Sequence, residues 1–380
     1  MTNNIGLPED ICAHLGDEYD RYMGAIIPPL FQNTLFTRKT MDHGYRYSRI
    51  ANPTTDILEE KLAALEHAEA ARMFASGMGA ISATLVSLLR AGDHAIVLKC
   101  CYNPVCRLFT EVLARYGVTV SFVEHCSTEE LVEALRPETR VIYFETPASN
   151  IFRIVDIRAV TAFAQTHGLV TVMDNTCATP LYQNPIDLGV DFVVHSATKY
   201  LGGHSDLTAG VVMGRKEPLE AMMEGERGLL GAAIDPFAAW LLIRSLRTFE
   251  IRMKRHSENA MAVAEFLKKS DRVKKLFYPG LESDEGHALA ATQMKGFSGT
   301  MSFVLDVNEE RAMRFVKKLP IFQEGPSWGG FESIVNTPGI YANPTVREFE
   351  CIPEGLIRIS VGLESQESLL DALDQGLKAL

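Results

Sequence analysis

Short apolar segments alternate with longer amphipathic ones through the first half of this chain, and this alternation constrains the fold more than any other feature. Residues 95–98, 118–123 and 141–144 are apolar runs of strand length. Residues 105–116 and 155–167 have the apolar periodicity of helices. Strands that alternate with helices form a mostly parallel sheet with helices on both faces. The sequence therefore predicts an α/β fold, in which ligands bind beyond the carboxyl ends of the strands.

The pattern becomes less regular in the last third of the chain. Residues 299–307 alternate as a strand does, but the helices and strands around them do not follow one another strictly. With 380 residues, the chain is long enough for two domains. We therefore predict an irregular N-terminal arm over residues 1–53, an α/β domain over 54–246 and a smaller α+β domain over 247–380.

The first candidate for chemistry is Lys199, which follows the apolar run at 192–194. A lysine just past a buried strand is costly unless the site uses it. Such a lysine can lose its proton and act as an amine nucleophile or form a Schiff base. Ser196 and Thr198 flank it with hydroxyl groups that suit phosphate oxygens. Together these residues indicate pyridoxal phosphate (PLP) held as an imine on Lys199.

The second candidate is Asp174, which ends another apolar run. A carboxylate there is also compatible with a structural cap or a metal ligand. In a PLP site it keeps the pyridine nitrogen protonated, so that the ring can accept electrons. No His or Cys cluster with ligand spacing surrounds it, so no metal site is predicted. For Lys199 the alternative is a surface lysine on a loop, which would be the better interpretation if no partner residue occurred elsewhere.

Other residues allow both a functional and a structural interpretation. Gly77 and Met78 lie in a turn between a strand and a helix, where backbone amides can face an anion, although a plain tight turn looks the same. Arg358 lies in an apolar strand and needs either an anionic ligand or an internal salt bridge. Tyr102 follows a strand end, and Trp328 lies in a glycine-rich loop. Both aromatic residues could simply pack in the core.

Composition excludes several classes of function. The net charge of −11 argues against nucleic acid or an anionic membrane as a partner. No apolar run reaches the ~20 residues of a membrane helix, and the start of the chain lacks the features of a signal peptide. The seven cysteines show no C-x-x-C spacing, as expected for free thiols in a reducing, cytoplasmic compartment. No G-x-G-x-x-G motif follows the first predicted strand, which argues against a dinucleotide-dependent dehydrogenase.

The motifs around these candidates resemble the transsulfuration (Cys/Met metabolism) family of PLP enzymes. The sequence reads DNT at 174–176, HSATKY at 195–200 and GHSD at 203–206, which is similar to the hallmark block of that family. The resemblance extends from about residue 24 to about residue 362. It implies the type I PLP-dependent transferase fold, the fold of aspartate aminotransferase, with a large mostly parallel sheet and a smaller C-terminal domain.

The resemblance also implies a role for each candidate residue. Lys199 would bind PLP and move the substrate proton, and Asp174 would pair with the pyridine nitrogen. Tyr102 would stack on the ring and help proton transfer. Phosphate contacts would come from the residues that match the family's phosphate motifs: Gly77, Met78, Ser196 and Thr198. Tyr47 and Arg49 would reach the phosphate of a neighbouring subunit, in a homotetramer built from two dimers that share their active sites.

On the substrate side, the resemblance places the substrate α-carboxylate on Arg358, with Ser327 nearby. Three local features resemble bacterial cystathionine β-lyases. They are Tyr102 followed by Pro104, Ser149 where many relatives have asparagine, and Trp328 where other relatives have leucine. These three matches favour β-elimination from cystathionine or related cysteine S-conjugates, which yields pyruvate, ammonia and a thiol.

Two alternatives remain open at this point. The first is γ-chemistry, as in cystathionine γ-synthase, O-acylhomoserine sulfhydrylase, and cystathionine or methionine γ-lyase. Residues 24–29 resemble those enzymes at least as well. The second is a non-catalytic PLP-binding regulatory protein, against which the intact set of Lys199, Asp174 and Arg358 argues.

Overall fold

The larger of two sheets has seven strands among the residues that the computed structural model describes, which are 6–37, 39 and 44–380. Its spatial order is β1-β7-β6-β5-β4-β2-β3. Only β7 runs against its neighbours β1 and β6, so the sheet is mostly parallel, and the predicted α/β class is confirmed. The strands are β1 (Ala70–Phe74), β2 (His94–Leu98), β3 (Thr119–Val123), β4 (Thr139–Glu145), β5 (Val170–Asp174), β6 (Phe192–His195) and β7 (Gly210–Gly214).

Helices cover both faces of this sheet, and its central strands are accordingly buried along their whole length. Several helices begin at a side chain that caps their first amides, among them Asn52, Ser76 and Asp235. The α-helices in this part of the chain are α1 (Pro8–His14), α2 (Pro53–Glu66), α3 (Gly77–Leu88), α4 (Asn103–Arg107), α5 (Thr128–Ala134), α6 (Ile157–His167), α7 (Thr179–Tyr182), α8 (Lys216–Met222), α9 (Gly228–Leu230) and α10 (Pro236–Leu246).

The helix predicted at 105–116 changes its pitch along its length. It begins as α4, continues as a π-helical turn over Leu108–Val112 and ends as a 3-10 turn over Leu113–Tyr116. Gly117 ends it with a φ of 80°, a conformation that suits glycine. The helix therefore lies where it was predicted, but only its first turn is α-helical.

A second, smaller sheet of five strands follows, in the order β10-β11-β12-β9-β8. Its strands are β8 (Val273–Phe277), β9 (Thr300–Leu305), β10 (Gln323–Glu324), β11 (Ile334–Asn336) and β12 (Leu356–Ser360). Its helices are α11 (Phe249–Lys268), α12 (His287–Gln293), α13 (Glu309–Val316), α14 (Pro344–Phe349) and α15 (Gln366–Lys378). The first sheet uses residues 70–214 and the second uses 273–360, while the domain limits 54–246 and 247–380 stay predictions.

The arm is less irregular than the sequence suggested. It contains α1 and a 3-10 turn at Tyr19–Tyr22. The Lys61 amine on α2 donates to the carbonyl of Ile11 at 3.0 Å, which ties α1 to the α/β unit. The predicted arm also includes residues 1–5, 38 and 40–43, which lie outside the described residues. Among the helices formed by the described residues, none combines the length and the apolar character that a membrane crossing requires.

Tyr200 joins the two sheets directly beside Lys199. Its hydroxyl lies 2.8 Å from the hydroxyl of Thr300 at the start of β9, and it accepts a hydrogen bond from the amide of Gly299 at 2.9 Å. Arg252 on α11 donates to the Tyr200 carbonyl at 2.8 Å. The segment after β6 is therefore held by both parts of the molecule.

Candidate active site

A cavity of about 350 Å³ lies where β4, β5 and β6 end, between the large sheet and residues of the second sheet. Every predicted site residue except Tyr47 and Arg49 lines it: Gly77, Met78, Tyr102, Ser149, Asp174, Ser196, Thr198, Lys199, Ser327, Trp328 and Arg358. A larger cleft of about 610 Å³ lies beside β8, but of the described residues that line it none is a predicted site residue. The smaller cavity is therefore the candidate active site.

Lys199 is positioned by a tight turn that follows β6. The amide of Lys199 donates to the carbonyl of Ser196 at 3.0 Å, and the amide of Gly203 donates back to Lys199 at 2.7 Å. Gly203 has a φ of 66°, and a Cβ atom there would lie 1.8 Å from a guanidinium nitrogen of Arg252. Only glycine therefore fits at this close approach.

The amine of Lys199 faces the second sheet across the cavity. Nζ donates a hydrogen bond to the Ser327 hydroxyl at 2.7 Å and lies 5.3 Å from the centroid of the Trp328 ring. Burial, together with the positive charge of Arg358, lowers the pKa of Lys199 to about 8. The amine is thus far closer to its neutral, nucleophilic form at neutral pH than an exposed lysine would be.

Asp174 is the last residue of β5 and is buried. Its Oδ1 accepts two hydrogen bonds from Thr176, from the amide at 2.9 Å and from the hydroxyl at 2.5 Å. Both hydrogen bonds go to Oδ1, so Oδ2 of Asp174 accepts none from Thr176. Burial raises the pKa of the Asp174 carboxyl, which the two hydrogen bonds and nearby His195 oppose.

A buried contact between a carboxyl group and an imidazole, at the end of the strand next to β5, was not foreseen from the sequence. Nε2 of His195, the last residue of β6, lies 2.8 Å from Oε2 of Glu66 at the end of α2. Asn175 donates to the same carboxyl group at 3.2 Å. The two partners are 129 residues apart in the chain, so no local pattern could have predicted the pair.

Glu145, the last residue of β4, is a second carboxyl group in the cavity that sequence analysis missed as a site residue. Its Oε2 accepts a hydrogen bond from the amide of Tyr102 at 2.8 Å, and its Oε1 accepts one from the Ser149 hydroxyl at 2.5 Å. Burial and the charge of Asp174 raise the pKa of Glu145 to about 8. Its strand-end position, the same as that of Asp174, was the signal that could have found it.

The start of α3 lines the cavity and carries backbone amides that have no carbonyl partner within the helix. The amides of Gly77 and Met78 precede the first hydrogen bond of the helix, which Ala80 donates to Ser76 at 3.1 Å. Gly77 packs so closely on Ser196 that a Cβ atom would lie 2.8 Å from the Cβ atom of Ser196. Unpaired amides at the start of a twelve-residue helix suit a phosphate group.

Thr198 differs from the expectation that its hydroxyl points to phosphate. Its Oγ1 donates to the carbonyl of Ala209 at 3.2 Å and accepts from the amide of the same residue at 3.0 Å. In the structure this hydroxyl therefore holds the turn after β6 against the chain that enters β7. Thr198 still lines the cavity.

The substrate side of the cavity comes from the second sheet. Half-buried Arg358 on β12 donates to the carbonyl of Pro326 at 2.7 Å, and burial lowers the pKa of its guanidinium to about 10. The loop that carries Ser327 and Trp328 is shaped by Gly329, which has a φ of 79° and donates to the Ser360 hydroxyl at 3.0 Å. A cation and a hydroxyl donor thus face the same space, as carboxylate binding requires.

Tyr47 and Arg49 lie outside this cavity. They line a separate surface cleft with residues 231–236, and the Arg49 guanidinium lies 5.6 Å from the centroid of the Tyr47 ring. Within one chain the structure does not bring them to Lys199. Their predicted role in a neighbouring subunit stays a prediction.

The residues of the cavity fit PLP in three places. Lys199 supplies an amine with a lowered pKa, Asp174 supplies a buried carboxylate with one oxygen left free by Thr176, and α3 supplies amides for a phosphate. The cavity volume of about 350 Å³ lies within the range of small-molecule and cofactor sites. Fold and site together define a PLP-dependent enzyme.

Comparison with known proteins identifies the family. The sequence profile described as Cys/Met metabolism PLP-dependent enzyme matches residues 9–378. The chain belongs to this family, and its fold is the predicted type I PLP-dependent transferase fold.

Its relatives carry several different activities in their names. The chain is 40% identical to an L-methionine gamma-lyase of Fusobacterium nucleatum, with 97% of each chain covered. It is 39% identical to a cystathionine beta-lyase of Lactococcus lactis, with 96% of this chain and 97% of the relative covered. The crystal structure of a cystathionine gamma synthase from Xanthomonas oryzae is 36% identical, covers 98% of both chains and has a TM-score of 0.94.

Proposed function

We propose that this protein is a carbon–sulfur lyase that breaks the Cβ–S bond of cystathionine or a related cysteine S-conjugate. The observation that carries the proposal is the position of Trp328. Its indole lies 5.3 Å from the Lys199 amine and 5.6 Å from the ring of Tyr200, so it forms a rigid wall beside the reacting atoms.

Each residue has a defined part in this reaction. Arg358 and Ser327 bind the substrate α-carboxylate, which directs the Cα proton towards the amine of Lys199. Lys199 removes that proton as a neutral base. Asp174 keeps the pyridine nitrogen protonated, and the bound cofactor supplies the sink for the electrons left on Cα. Departure of the thiol from Cβ and hydrolysis then give pyruvate and ammonia.

Trp328 favours β-elimination for a geometric reason. Cleavage at Cβ–S needs one deprotonation, at Cα, before the leaving group departs. Cleavage at Cγ–S needs a second deprotonation, at Cβ. It also needs space for the longer carbon chain of the intermediate to turn. A large planar ring next to the Lys199 amine restricts that movement.

Elimination at Cγ is the second candidate, and the comparisons give it specific support. The 40% identity to an L-methionine gamma-lyase is as high as the 39% identity to a cystathionine beta-lyase. Product analysis with cystathionine separates the two reactions. Pyruvate with homocysteine indicates β-cleavage, whereas 2-oxobutyrate with cysteine indicates γ-cleavage.

Substitution of Trp328 tests whether the indole sets this choice. Trp328→Leu is expected to lower β-cleavage and to raise the share of 2-oxobutyrate by roughly tenfold, since one pocket contact is worth about 1–3 kcal/mol. The ratio of pyruvate to 2-oxobutyrate is measured for both proteins under identical conditions. Trp240→Leu removes the other tryptophan, which lies on α10 outside the cavity, and should leave the ratio unchanged. If the wild type already gives mostly 2-oxobutyrate, the γ-lyase candidate replaces the proposal.

The lowered pKa of Lys199 predicts how cofactor uptake depends on pH. Lys199 must be neutral to attack the cofactor aldehyde, and with a pKa of about 8 its neutral fraction increases as the pH rises through 8. Uptake of PLP by the apoprotein should therefore be about tenfold faster at pH 9 than at pH 7. The growth of the cofactor absorbance band after mixing gives the rate. A half-maximal rate near pH 10, the value for an exposed lysine, would contradict the desolvated position of Lys199.

A further inference from the structure

Arg227 is a buried arginine that has no part in the reaction outlined above. It is only 3% exposed and ends a π-helical turn over Met223–Arg227, between α8 and α9. Its Nη1 donates to Oε1 of Glu59 on α2 at 2.8 Å and to the carbonyl of Met73 on β1 at 3.3 Å. Its Nη2 donates to the carbonyl of Ile50. One side chain thus joins α2, β1 and the segment that precedes α2.

The bond to Ile50 is the contact of Arg227 that an apolar side chain could not replace. A buried ion pair by itself is weak evidence for a gain in stability, because well-packed apolar residues often substitute for it. Glu59 has other partners as well, since it accepts from the amide of Met73 at 2.8 Å and from Arg72 at 3.1 Å. The Ile50 carbonyl, in contrast, belongs to a turn outside any helix or strand. Arg227 therefore fixes the position of that turn.

The turn that ends at Ile50 carries Arg49. The amide of Ile50 donates to the carbonyl of Tyr47 at 2.9 Å, and the amide of Ser48 donates to the carbonyl of Thr34 at 2.9 Å. Arg49 lies between these two bonded residues, while its own side chain is exposed. The direction in which the Arg49 side chain leaves the surface therefore depends on how its two neighbours are held.

Arg227 also precedes residues 231–236, which line the cleft that contains Arg49. Gly228, the next residue, packs so closely on Ile50 that a Cβ atom there would lie 2.9 Å from Cδ1 of Ile50. The chain around Arg227 therefore connects the turn that carries Arg49 to the opposite side of the same cleft.

We propose that Arg227 is a positioning residue that, through the carbonyl of Ile50, holds Arg49 where it reaches the PLP phosphate of a neighbouring subunit. This rests on the proposed function only in that PLP is the cofactor and Arg49 contacts its phosphate. It applies to β- and γ-cleavage alike. The product ratio with cystathionine therefore tests the reaction and leaves the role of Arg227 untouched.

The first test measures the affinity of the apoprotein for PLP in Arg227→Met, by titration followed by absorbance. Methionine is also a long side chain, but it donates no hydrogen bond to the Ile50 carbonyl. The affinity should fall about tenfold, because the displaced Arg49 contact is a charge-assisted hydrogen bond. Wild-type affinity in a folded Arg227→Met overturns the proposal.

A double-mutant cycle shows whether this effect passes through Arg49. In a protein that already carries Arg49→Ala, the further substitution Arg227→Met should lower PLP affinity by less than about twofold. An equal loss with and without Arg49 would mean that Arg227 acts by another route, and it would overturn the proposal. If Arg49→Ala alone binds PLP as the wild type does, the predicted role of Arg49 is wrong and the proposal falls with it.

Mixed dimers distinguish the neighbour's site from the chain's own site. Arg227 also bonds to Met73 on β1, the strand that precedes α3, which offers a route to the cavity of its own chain. In a hybrid of Arg227→Met and Lys199→Ala, one site combines an intact Lys199 with an intact Arg49 and Arg227 from the other chain. At a PLP concentration that loads the wild type but little of Arg227→Met, random mixing should restore about a quarter of the wild-type cofactor trapped by borohydride. No recovery in verified hybrids would place the effect within one chain and overturn the proposal.

Arg247 provides a matched control. It also donates to a backbone carbonyl, that of Ala13, and to a carboxylate, that of Asp17 at 2.9 Å, but it lines neither the cavity nor the cleft with Arg49. Arg247→Met should lower Tm, as Arg227→Met does, and leave PLP affinity unchanged. A similar loss of affinity in Arg247→Met would show that affinity merely follows stability, which would overturn the proposal.

Arg227→Lys serves if Arg227→Met does not fold. Lysine keeps the positive charge beside Glu59, but it has one nitrogen in place of the two that reach Glu59 and Ile50 separately. PLP affinity should fall by at least about threefold, and again only when Arg49 is present. An unchanged affinity in this variant overturns the proposal.

Discussion

Lys199→Ala is expected to abolish turnover, with a loss of at least about a thousandfold, because we propose that this amine both holds the cofactor and moves the Cα proton. The characteristic absorbance of the bound cofactor should disappear as well. The fold should survive, since the turn around Lys199 is held by backbone hydrogen bonds and by Gly203. Turnover, the absorbance spectrum and the far-UV circular dichroism of the variant measure these three outcomes.

The chain offers a matched control in Lys61. Burial lowers the pKa of Lys61 to about 8, as it does for Lys199, but its amine donates to the carbonyls of Ile11 and Cys12 and lies outside the cavity. Lys61→Ala should lose stability yet still take up PLP. Cofactor that can be trapped by borohydride in Lys199→Ala would place the imine on another lysine and contradict the assignment.

Arg49→Ala is expected to weaken PLP binding by roughly ten- to hundredfold, because a charge-assisted hydrogen bond is worth about 1.5–3 kcal/mol. We propose that this contact is made to the phosphate of a neighbouring subunit, in a homotetramer of two site-sharing dimers. The position of Arg49 in a surface cleft with residues 231–236, away from the cavity of its own chain, supports this proposal. Titration of the apoprotein with PLP, followed by absorbance, gives the affinity.

Mixing two defective variants tests the sharing of the site. In a hybrid dimer of Arg49→Ala and Lys199→Ala, one site contains both substitutions and the other contains neither. At a PLP concentration that loads the wild type but not Arg49→Ala, random mixing should therefore restore about a quarter of the wild-type activity. Unmixed samples of each variant serve as controls. Hybrids verified by mass spectrometry that show no recovery would mean that Arg49 does not contribute to its neighbour's site.

The general architecture could be predicted because it depends on local pattern. Apolar runs that end in Asp174 and precede Lys199 indicated strands β5 and β6, and parallel strands bring their carboxyl ends to one edge. The pairing of Glu145 with Asp174 could not be predicted in the same way. It depends on β4 lying next to β5, and the alternation of strands and helices does not specify strand order.

Contacts between distant segments were equally beyond sequence reasoning. The Glu66–His195 pair joins the end of α2 to the end of β6, and neither residue has a local partner that would signal it. The hydrogen bonds of Thr198 to residue 209 depend on how the turn after β6 folds back, which composition does not show. The sequence therefore predicted that the Thr198 hydroxyl contacts phosphate, whereas in the structure it bonds to the backbone of residue 209.

Tyr200 joins two groups of active-site residues that belong to different sheets. Lys199 and Asp174, which we propose to hold the cofactor, lie at the ends of large-sheet strands, whereas Arg358, Ser327 and Trp328 belong to the second sheet and its loop. Tyr200, which follows Lys199 in the chain and lies 5.6 Å from the Trp328 ring, joins the two parts through hydrogen bonds with Thr300 and Gly299. If Trp328 sets the bond that is broken, as we propose, substitutions in this loop would change the reaction while the residues at the ends of the large-sheet strands stay in place.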